Sequence, residues 1–229
     1  MSVRFLLLSD ARTGTMMLTD ALDRHPDVSF FNFYAAPPGQ ATVHYNNWQR
    51  FQDNASTTHR GTTMHRIPWT WIERFTNLAP DTFWDVMRQK HDRWLLLHRR
   101  NVLKQYLSYR LAAETGRRKV DKPRATEHEP KPITMDLDKL GLFISSIMMQ
   151  RQHVDKHFPS SLVLAYENMV GDWDGAINRV QEYLDLPLRA LPQVTHKQET
   201  RLLRDAIANY HEVARWADFN GYANWIEED

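Results

Sequence analysis

Cysteine is absent from the 229 residues of the sequence. Its absence excludes disulfide bonds, metal sites with thiolate ligands and cysteine nucleophiles. An excess of charge is missing too, because 29 Lys and Arg stand against 28 Asp and Glu, which gives a formal net charge of +1. No general attraction to nucleic acid or to an anionic membrane is therefore expected, and any site for an anion must be local.

Long hydrophobic runs are also lacking. The N-terminal apolar stretch covers only residues 3–8, too few for the apolar part of a signal peptide, and Asp10 and Arg12 follow at once. No other run approaches the roughly 20 apolar residues that a membrane-spanning helix needs. We expect a soluble, cytoplasmic protein that neither spans a membrane nor binds nucleic acid, and the oligomeric state is left open.

What the sequence does contain is a regular alternation of short apolar runs and helical patterns. Strand-like runs occupy residues 3–8, 61–67, 93–99 and 161–167, and a helical pattern follows each of them. This alternation predicts a three-layer α/β fold in which helices flank a central parallel β-sheet. The polar loop after the first strand, discussed below, has the layout of a phosphate-binding loop, so we expect a P-loop-like fold. The length suits one domain over residues 1–229.

The segment between the third and fourth predicted strands divides into two parts. Residues 117–132 are rich in charge and proline, which predicts an exposed loop that could serve as a lid. Residues 137–157 carry apolar side chains at helical spacing, which predicts a long helix.

The polar loop after the first strand, with the sequence SDARTGTM, has the layout of an anion site. The backbone N–H groups of residues 12–16 should point into one concavity at a helix N-terminus, where the helix dipole also favours negative charge. A Walker A loop would have a lysine after Gly14 and a second glycine, and since both are missing, ATP with magnesium fits poorly. Arg12 supplies a positive charge, and its planar guanidinium can donate two hydrogen bonds to the oxygens of a transferring group. A purely structural turn is the alternative.

A second strand runs into a helix in the segment LLLHRRNVLKQYLSY. Arg100 lies at the end of this strand, and Ser108 lies about two turns into the helix. Together they could hold a second phosphate. Alternatively, Arg99 and Arg100 are solvated charges at the strand end, and Ser108 is a surface hydroxyl.

These segments resemble those of a known family. DARTGTMMLTDALDRHPDV resembles the 5′-phosphosulfate loop of sulfotransferases, and HRRNVLKQYLSY is similar to their 3′-phosphate-binding segment, in which a Ser follows the Arg by eight residues. VLAYENMVGDWDGAINRVQEYLDLP is similar to the family's strand, Tyr-Glu-Asp-Leu and following helix. PITMDLDKL and LRDAIANYHEV look most like bacterial carbohydrate sulfotransferases of the trehalose and nodulation-factor type. The segments occur in the family's order and span most of the chain.

The resemblance implies an enzyme that moves a sulfuryl group from 3′-phosphoadenosine-5′-phosphosulfate (PAPS) to a hydroxyl of a carbohydrate, a glycoconjugate or another small-molecule acceptor. Adenosine 3′,5′-bisphosphate (PAP) is the implied product, and no metal is implied. We expect Arg12 to be catalytic, because a cation at this place stabilises the departing nucleotide. The expected nucleotide site consists of Arg12, Thr13, Gly14, Thr15, Met16, Arg100, Ser108 and, in a late basic loop, Lys197, with Arg201 as a second candidate there.

The sequence departs from the family where a base is needed. The trehalose-type enzymes carry a catalytic Glu near the segment FFNFYAAP, in which this chain has Asn32, and Asn takes up no proton at neutral pH. We predict that His65 is the base, because it ends a strand and parallel sheets bind ligands beyond the carboxyl ends of their strands. A locally hydrogen-bonded His65 is the alternative. Reserve candidates for the base are His44, His59 and Asp10.

Two other functions remain open at this point. The chain could be a P-loop kinase of a small molecule, which magnesium-dependent ATP binding would support. It could also be a catalytically silent nucleotide-binding module that has lost its base. Trp48, Trp69 and Trp71 could stack on the faces of a sugar or belong to the core.

Overall fold

The computed structural model describes residues 2–33, 47–48, 50–53, 56–66, 78–116, 131–194 and 201–227. The strands of its sheet are β1 (Val3–Ser9), β2 (Val28–Phe33), β3 (His59–His65), β4 (Arg93–His98) and β5 (Leu162–Ala165). Their order across the sheet is β2-β3-β1-β4-β5, and every neighbouring pair is parallel. The predicted α/β fold with a central parallel sheet is confirmed.

Helices connect the strands and cover the sheet. They are α1 (Thr15–Leu22), α2 (Pro80–Gln89), α3 (Val102–Thr115), α4 (Leu137–Asp155), α5 (Tyr166–Gly171), α6 (Trp173–Tyr183), α7 (Leu203–Ala206), α8 (Tyr210–Phe219) and α9 (Asn224–Glu227). The long helix predicted over residues 137–157 is present as α4 and ends at Asp155. None of the described helices combines the length and the hydrophobicity that crossing a membrane requires.

The side chains of β1, the central strand, explain the three layers. Successive residues of a strand point to opposite faces of the sheet. Phe5 and Leu7 pack with α1 and α6 on one face, whereas Leu6 and Leu8 pack with α2 and the end of α4 on the other. All four are fully buried, which is why the run is apolar without interruption. A third apolar cluster joins α3, α4 and α8.

β2 is a strand that the sequence analysis did not predict. It lies at the edge of the sheet and pairs with β3, from Val28 opposite His59 to Phe33 opposite Met64. Its sequence VSFFNF contains the β-branched and aromatic residues that strands favour, so a signal was present. β3 begins at His59, two residues before the predicted start, and ends at His65.

The predicted exposed loop falls largely outside the described residues, which resume at residue 131. Lys131 and Pro132 are exposed and lead into Ile133, which forms an isolated bridge with Ile207. The lid over residues 117–132 and the single-domain organisation therefore stay predictions.

The register of the sheet positions the candidate site. Ser9, at the end of β1, lies opposite His65 of β3 and opposite Leu97 of β4. The residues that follow these strands therefore meet at the carboxyl ends of the strands, beside the loop to α1, where parallel sheets bind their ligands.

Candidate functional site

The loop between β1 and α1 has two residues with left-handed backbone conformation. Arg12 has a φ of 66° and Gly14 a φ of 85°. For a residue with a side chain this conformation costs about 1 kcal/mol or more, so surrounding contacts must hold Arg12 in place. Thr13 Oγ1 donates a hydrogen bond to Asp10 O at 2.8 Å, and Arg99 Nη1 donates one to Arg12 O at 3.5 Å. The loop is therefore held from within by Thr13 and from outside by Arg99, the residue that follows β4.

Gly14 is the N-cap residue of α1, and a larger residue does not fit there. A Cβ atom added to Gly14 would lie 2.7 Å from Tyr166 Cδ2. Because Gly14 has no side chain, it does not cap the first N–H groups of α1. These amides and the positive end of the helix dipole favour an anion in front of the loop.

Arg12 joins the loop to α3. Its Nε donates a hydrogen bond to Ser108 Oγ at 3.1 Å, and Ser108 is buried. The two segments that the sequence analysis assigned to phosphate groups therefore lie in contact, although 96 residues separate Arg12 from Ser108.

Arg99 lies beneath the loop, with only 6% of its surface exposed. The centre of its guanidinium lies 4.7 Å from the centroid of the Tyr166 ring. No described residue provides a hydrogen-bond partner for Arg99 Nε. Burial lowers the pKa of Arg99, against opposing contributions from Tyr166 and Glu167, yet a guanidinium stays protonated in proteins. A buried cation with an unsatisfied N–H group favours the binding of an anion nearby.

His65 ends β3 beside the loop. Its Nδ1 lies 3.2 Å from Ser9 Oγ, which also accepts a hydrogen bond from Thr15 Oγ1 at 2.8 Å. Burial lowers the pKa of His65 below its ordinary value of 6.5, and the charge on Arg66 acts in the same direction. A hydrogen bond to the Ser9 backbone and the charge on Asp10 oppose this shift. The imidazole is therefore neutral at pH 7 and able to take up a proton.

A network of buried charges supports the loop from the side of α4. Asp10 Oδ2 accepts a hydrogen bond from Arg151 Nε at 2.7 Å, and Asp10 Oδ1 lies 3.4 Å from Arg66 Nη1. Arg151 Nη2 donates to Gln105 Oε1 at 3.2 Å, and Gln105 Nε2 donates to Ala11 O at 2.7 Å. Arginines therefore contact both oxygens of the Asp10 carboxylate, and a role for Asp10 as the base stays a prediction.

Comparison with known proteins identifies the fold. No protein-family model matches the chain, and no curated protein matches it. The solved sulfotransferase of Alicyclobacillus acidocaldarius is 14% identical, with a TM-score of 0.55, and the match covers 98% of this chain and 94% of that one. The chain has the fold of this sulfotransferase. At such low identity the fold does not transfer the activity, so the function has to be argued from the site.

Two further structures are similar, with TM-scores below 0.5. A mouse sulfotransferase complexed with PAP is 13% identical, with a TM-score of 0.49, and the match covers 82% of this chain and 60% of that one. The shikimate kinase of Bacteroides thetaiotaomicron is 15% identical, with a TM-score of 0.48, and the match covers 80% of this chain and 99% of that one. Similarities at this level do not bear on the function of this chain.

The other residues of the expected nucleotide site are placed as follows. Met16 lies in the first turn of α1, next to the loop. Arg100 is exposed and extends toward α5, where its Nη2 donates a hydrogen bond to Asn168 Oδ1 at 2.8 Å. Lys197 lies outside the described residues, whereas Arg201 is described and half-buried. A role for Arg100, Lys197 or Arg201 at the nucleotide therefore stays a prediction.

The reserve candidates differ in position. His59 is the first residue of β3, so it lies at the amino end of the strands, whereas the loop lies at their carboxyl ends. Its Nε2 lies 2.8 Å from Leu184 O. Trp48 is buried and donates from Nε1 to Thr62 Oγ1 at 2.8 Å, so it belongs to the core. His44, Trp69, Trp71 and the side chain of Asn32 lie outside the described part of the chain.

Sequence reasoning missed Arg99 and the two partners of Asp10. The pair of arginines after β4 was visible, but the resemblance selected Arg100, and the direction in which each side chain leaves the strand end is a tertiary property. Arg66 and Arg151 lie 56 and 141 residues after Asp10, and no local pattern connects residues at such separations.

Proposed function

We propose that this protein is a sulfotransferase that moves a sulfuryl group from PAPS to a hydroxyl of a carbohydrate, a glycoconjugate or another small acceptor, with PAP as the product. The observation that carries the proposal is the hydrogen bond from Arg12 Nε to Ser108 Oγ at 3.1 Å. It unites the segment that resembles a phosphosulfate loop with the segment that resembles a 3′-phosphate site. The fold shared with a solved sulfotransferase supports the same proposal.

The residues around the loop fit the phosphosulfate group of the donor. Gly14 leaves the N-terminus of α1 open, and a Cβ at its position would contact Tyr166. Arg99 contributes a buried cation whose Nε has no partner among the described residues. Arg12 and the amides of residues 12–16 add further positive potential, so the transfer needs no metal in this proposal.

The 3′-phosphate of the donor is assigned to the second segment. Ser108 Oγ accepts a hydrogen bond from Arg12, so its own hydroxyl hydrogen can be donated to a phosphate oxygen. We assign Arg100 and Lys197 to the same phosphate. For Arg100 this requires a change of partner, since its Nη2 donates to Asn168 in this structure.

The chain supplies positioning, charge stabilisation and a base for the transfer. The acceptor hydroxyl attacks sulfur in line with the bond to the 5′-phosphate, so one S–O bond forms while the other breaks. In this step Nδ1 of His65 carries the ring hydrogen and donates it to Ser9 Oγ, which keeps the ring oriented, and Nε2 takes the hydroxyl proton. Arg12 and the loop amides stabilise the negative charge that develops on the departing phosphate oxygen.

Calorimetry and a transfer assay together test the proposal. PAP should bind in the presence of EDTA, and labelled sulfate should move from PAPS to members of a panel of sugars and glycoconjugates. Arg12→Ala should lose the transfer, whereas Arg24→Ala, a control at an exposed arginine just after α1, should retain it. PAP binding without transfer to any acceptor would favour the silent module, and ATP binding that requires magnesium would favour the kinase.

A further inference from the structure

A cluster of two histidines and two carboxylates lies between α2 and the end of α4, outside the candidate active site. His153 belongs to α4, and His157 follows it by four residues. Asp81 and Asp85, four residues apart on α2, face these imidazoles. Imidazole nitrogens and carboxylate oxygens are common ligands of Zn²⁺ and of related transition metals.

The ligand atoms of this cluster are spaced as one metal ion requires. Asp81 Oδ1 lies 3.0 Å from His157 Nε2 and 3.3 Å from His153 Nε2. One ligand atom from each of the three residues lies within 4.8 Å of the other two. Tetrahedral bonds of about 2.0–2.1 Å to Zn²⁺ place neighbouring ligand atoms about 3.3 Å apart. A small movement of the side chains therefore brings all three onto one ion.

Asp85 orients one of the two imidazoles. Its Oδ1 lies 3.2 Å from His157 Nδ1, which donates a hydrogen bond to this carboxylate. His157 Nε2 lies 3.0 Å from Asp81 Oδ1 and donates a hydrogen bond to it, so a metal ion that binds both atoms takes the place of this hydrogen. A carboxylate behind a metal-binding histidine fixes the tautomer and raises the basicity of the ligand nitrogen.

The surroundings of the cluster suit a metal cation, although the ammonium group of Lys156 competes for one of the ligand oxygens. The side chains of His153 and His157 are 15% and 9% exposed, whereas that of Asp81 is 61% exposed, so a bound ion could also be reached by water. Burial lowers the pKa of His153 below its ordinary value of 6.5. The neighbouring Lys156 and His157 lower this pKa further, whereas the charge on Asp81 opposes the shift. His153 is therefore neutral at pH 7, the form that binds a metal ion. Lys156 Nζ lies 3.4 Å from Asp81 Oδ1 and competes with a metal for this oxygen.

We propose that Asp81, His153 and His157 bind one divalent transition-metal ion of the Zn²⁺ type, with Asp85 as the residue that positions His157. The ion links α2 to the end of α4 and thereby stabilises the packing of these helices. The inference goes beyond the proposed function and does not depend on it, because it uses none of the residues assigned to the donor or to the base.

The role of this ion is structural, as its place on α4 indicates. Asp155 lies between the two histidines in sequence but points to the sheet, where it accepts a hydrogen bond from Arg66 Nε at 2.8 Å. Asp155 Oδ2 also lies 3.1 Å from His98 Nε2. The end of α4 is therefore attached to the sheet through Asp155 and to α2 through the histidines, and a metal strengthens the second attachment.

Metal titrations of the full chain, without an affinity tag and after treatment with EDTA, test this proposal. Zn²⁺ should bind with one ion per chain and a Kd below about 10 μM, and it should raise the melting temperature. Co²⁺ should bind at the same place and give visible d–d absorption that Zn²⁺ abolishes. Asp81→Asn and His153→Gln should each weaken Zn²⁺ binding at least about 100-fold, and Asp85→Asn should weaken it about 10- to 100-fold.

Two control variants make the test specific to the cluster. Lys156→Gln should tighten Zn²⁺ binding because it removes the competing ammonium group from Asp81, a direction that loss of a structural contact would not produce. His211→Gln, at an exposed histidine of α8, should leave the Kd unchanged. Asp81 is exposed, so Asp81→Asn tests the site even if His153→Gln fails to fold. A wild-type Kd weaker than about 10 μM, or unchanged affinity in folded Asp81→Asn, would overturn the proposal.

Discussion

At the scale of single residues, Arg12 is the group on which the proposed transfer depends most. Its backbone is held at a φ of 66° and its Nε donates to Ser108, so the guanidinium is positioned before the donor binds. Arg12→Ala should lower kcat at least about 100-fold, as the loss of one donor to a developing negative charge does in other enzymes. Turnover of labelled PAPS measures the effect, with Arg24→Ala as the control. A decrease of less than about tenfold would contradict the catalytic role.

His65 leads to a prediction about pH. Burial, opposed by the Ser9 hydrogen bond and by Asp10, lowers its pKa below 6.5, so the base is neutral and active at pH 7. We expect kcat/KM to be level near neutrality and to fall with decreasing pH only below 6.5. His65→Asn should remove this acidic limb and lower kcat by roughly 10²- to 10⁴-fold, while calorimetry should find PAP affinity nearly unchanged.

The alternative for His65 is a local structural role, and the same variant distinguishes the two. If His65→Asn keeps the turnover and the pH profile of the wild type, the histidine serves only as a hydrogen-bond partner of Ser9. Another residue would then be the general base of the transfer.

At the scale of elements, the junction of β1, its loop and α1 forms the anion site. Gly14→Ala would combine a φ of 85° with a Cβ atom 2.7 Å from Tyr166. We expect the free energy of unfolding to fall by about 1–3 kcal/mol because the left-handed conformation is strained with a side chain. Calorimetry should show at least about a tenfold loss of PAP affinity, because displaced amides no longer converge on the phosphosulfate position.

Gly221 provides the matched control for this substitution. Its φ is 78°, and an added Cβ atom meets nothing within 4 Å. Gly221→Ala therefore adds backbone strain without a steric clash and outside the Gly14 loop, so stability should fall while PAP affinity stays unchanged. Equal losses of PAP affinity in the two variants would show that the shape of the Gly14 loop is not what binds the nucleotide.

At the scale of the whole molecule, His91 couples the fold to pH. Its Nδ1 lies 2.7 Å from Met87 O and must donate to this carbonyl, so Nε2 accepts the hydrogen of the Thr62 hydroxyl at 3.2 Å. Thr62 Oγ1 already accepts hydrogen bonds from Trp48 Nε1 and Gln52 Nε2. Protonation of His91 Nε2 would turn a satisfied acceptor into a second donor in a buried site, which is unfavourable.

Acid should therefore destabilise the protein well before its carboxylates are protonated. Burial is the main cause that lowers the pKa of His91 to about 4, from 6.5 in the unfolded chain. Between these two values the unfolded state binds more protons, so the free energy of unfolding falls as the pH falls, by up to about 3 kcal/mol. Urea unfolding at a series of pH values measures this dependence. His91→Gln should weaken it, and a variant with the full dependence of the wild type would contradict the assignment.

Local patterns in the sequence were sufficient to predict most of the architecture. The apolar run of β1, the loop around Gly14 and the long helix α4 are all where periodicity and turn chemistry indicate them. β2 was missed even though its composition favours a strand, because an edge strand in this position was not required by the alternation of the other elements. Most of the predicted lid, residues 117–130, and Lys197 lie outside the described residues, and both stay predictions.

The kinds of elements, their order along the chain and the loop that joins β1 to α1 all follow from local features of the sequence. These properties depend on residues a few positions apart, through burial periodicity, helix N-termini and glycine conformation. Other features depend on the packing of distant segments: Arg99 lies beneath the loop while Arg100 turns to α5, and arginines from distant parts of the chain hold Asp10. The order and register of the parallel strands determine which residues meet at the carboxyl ends of the strands, and no local pattern contains that information.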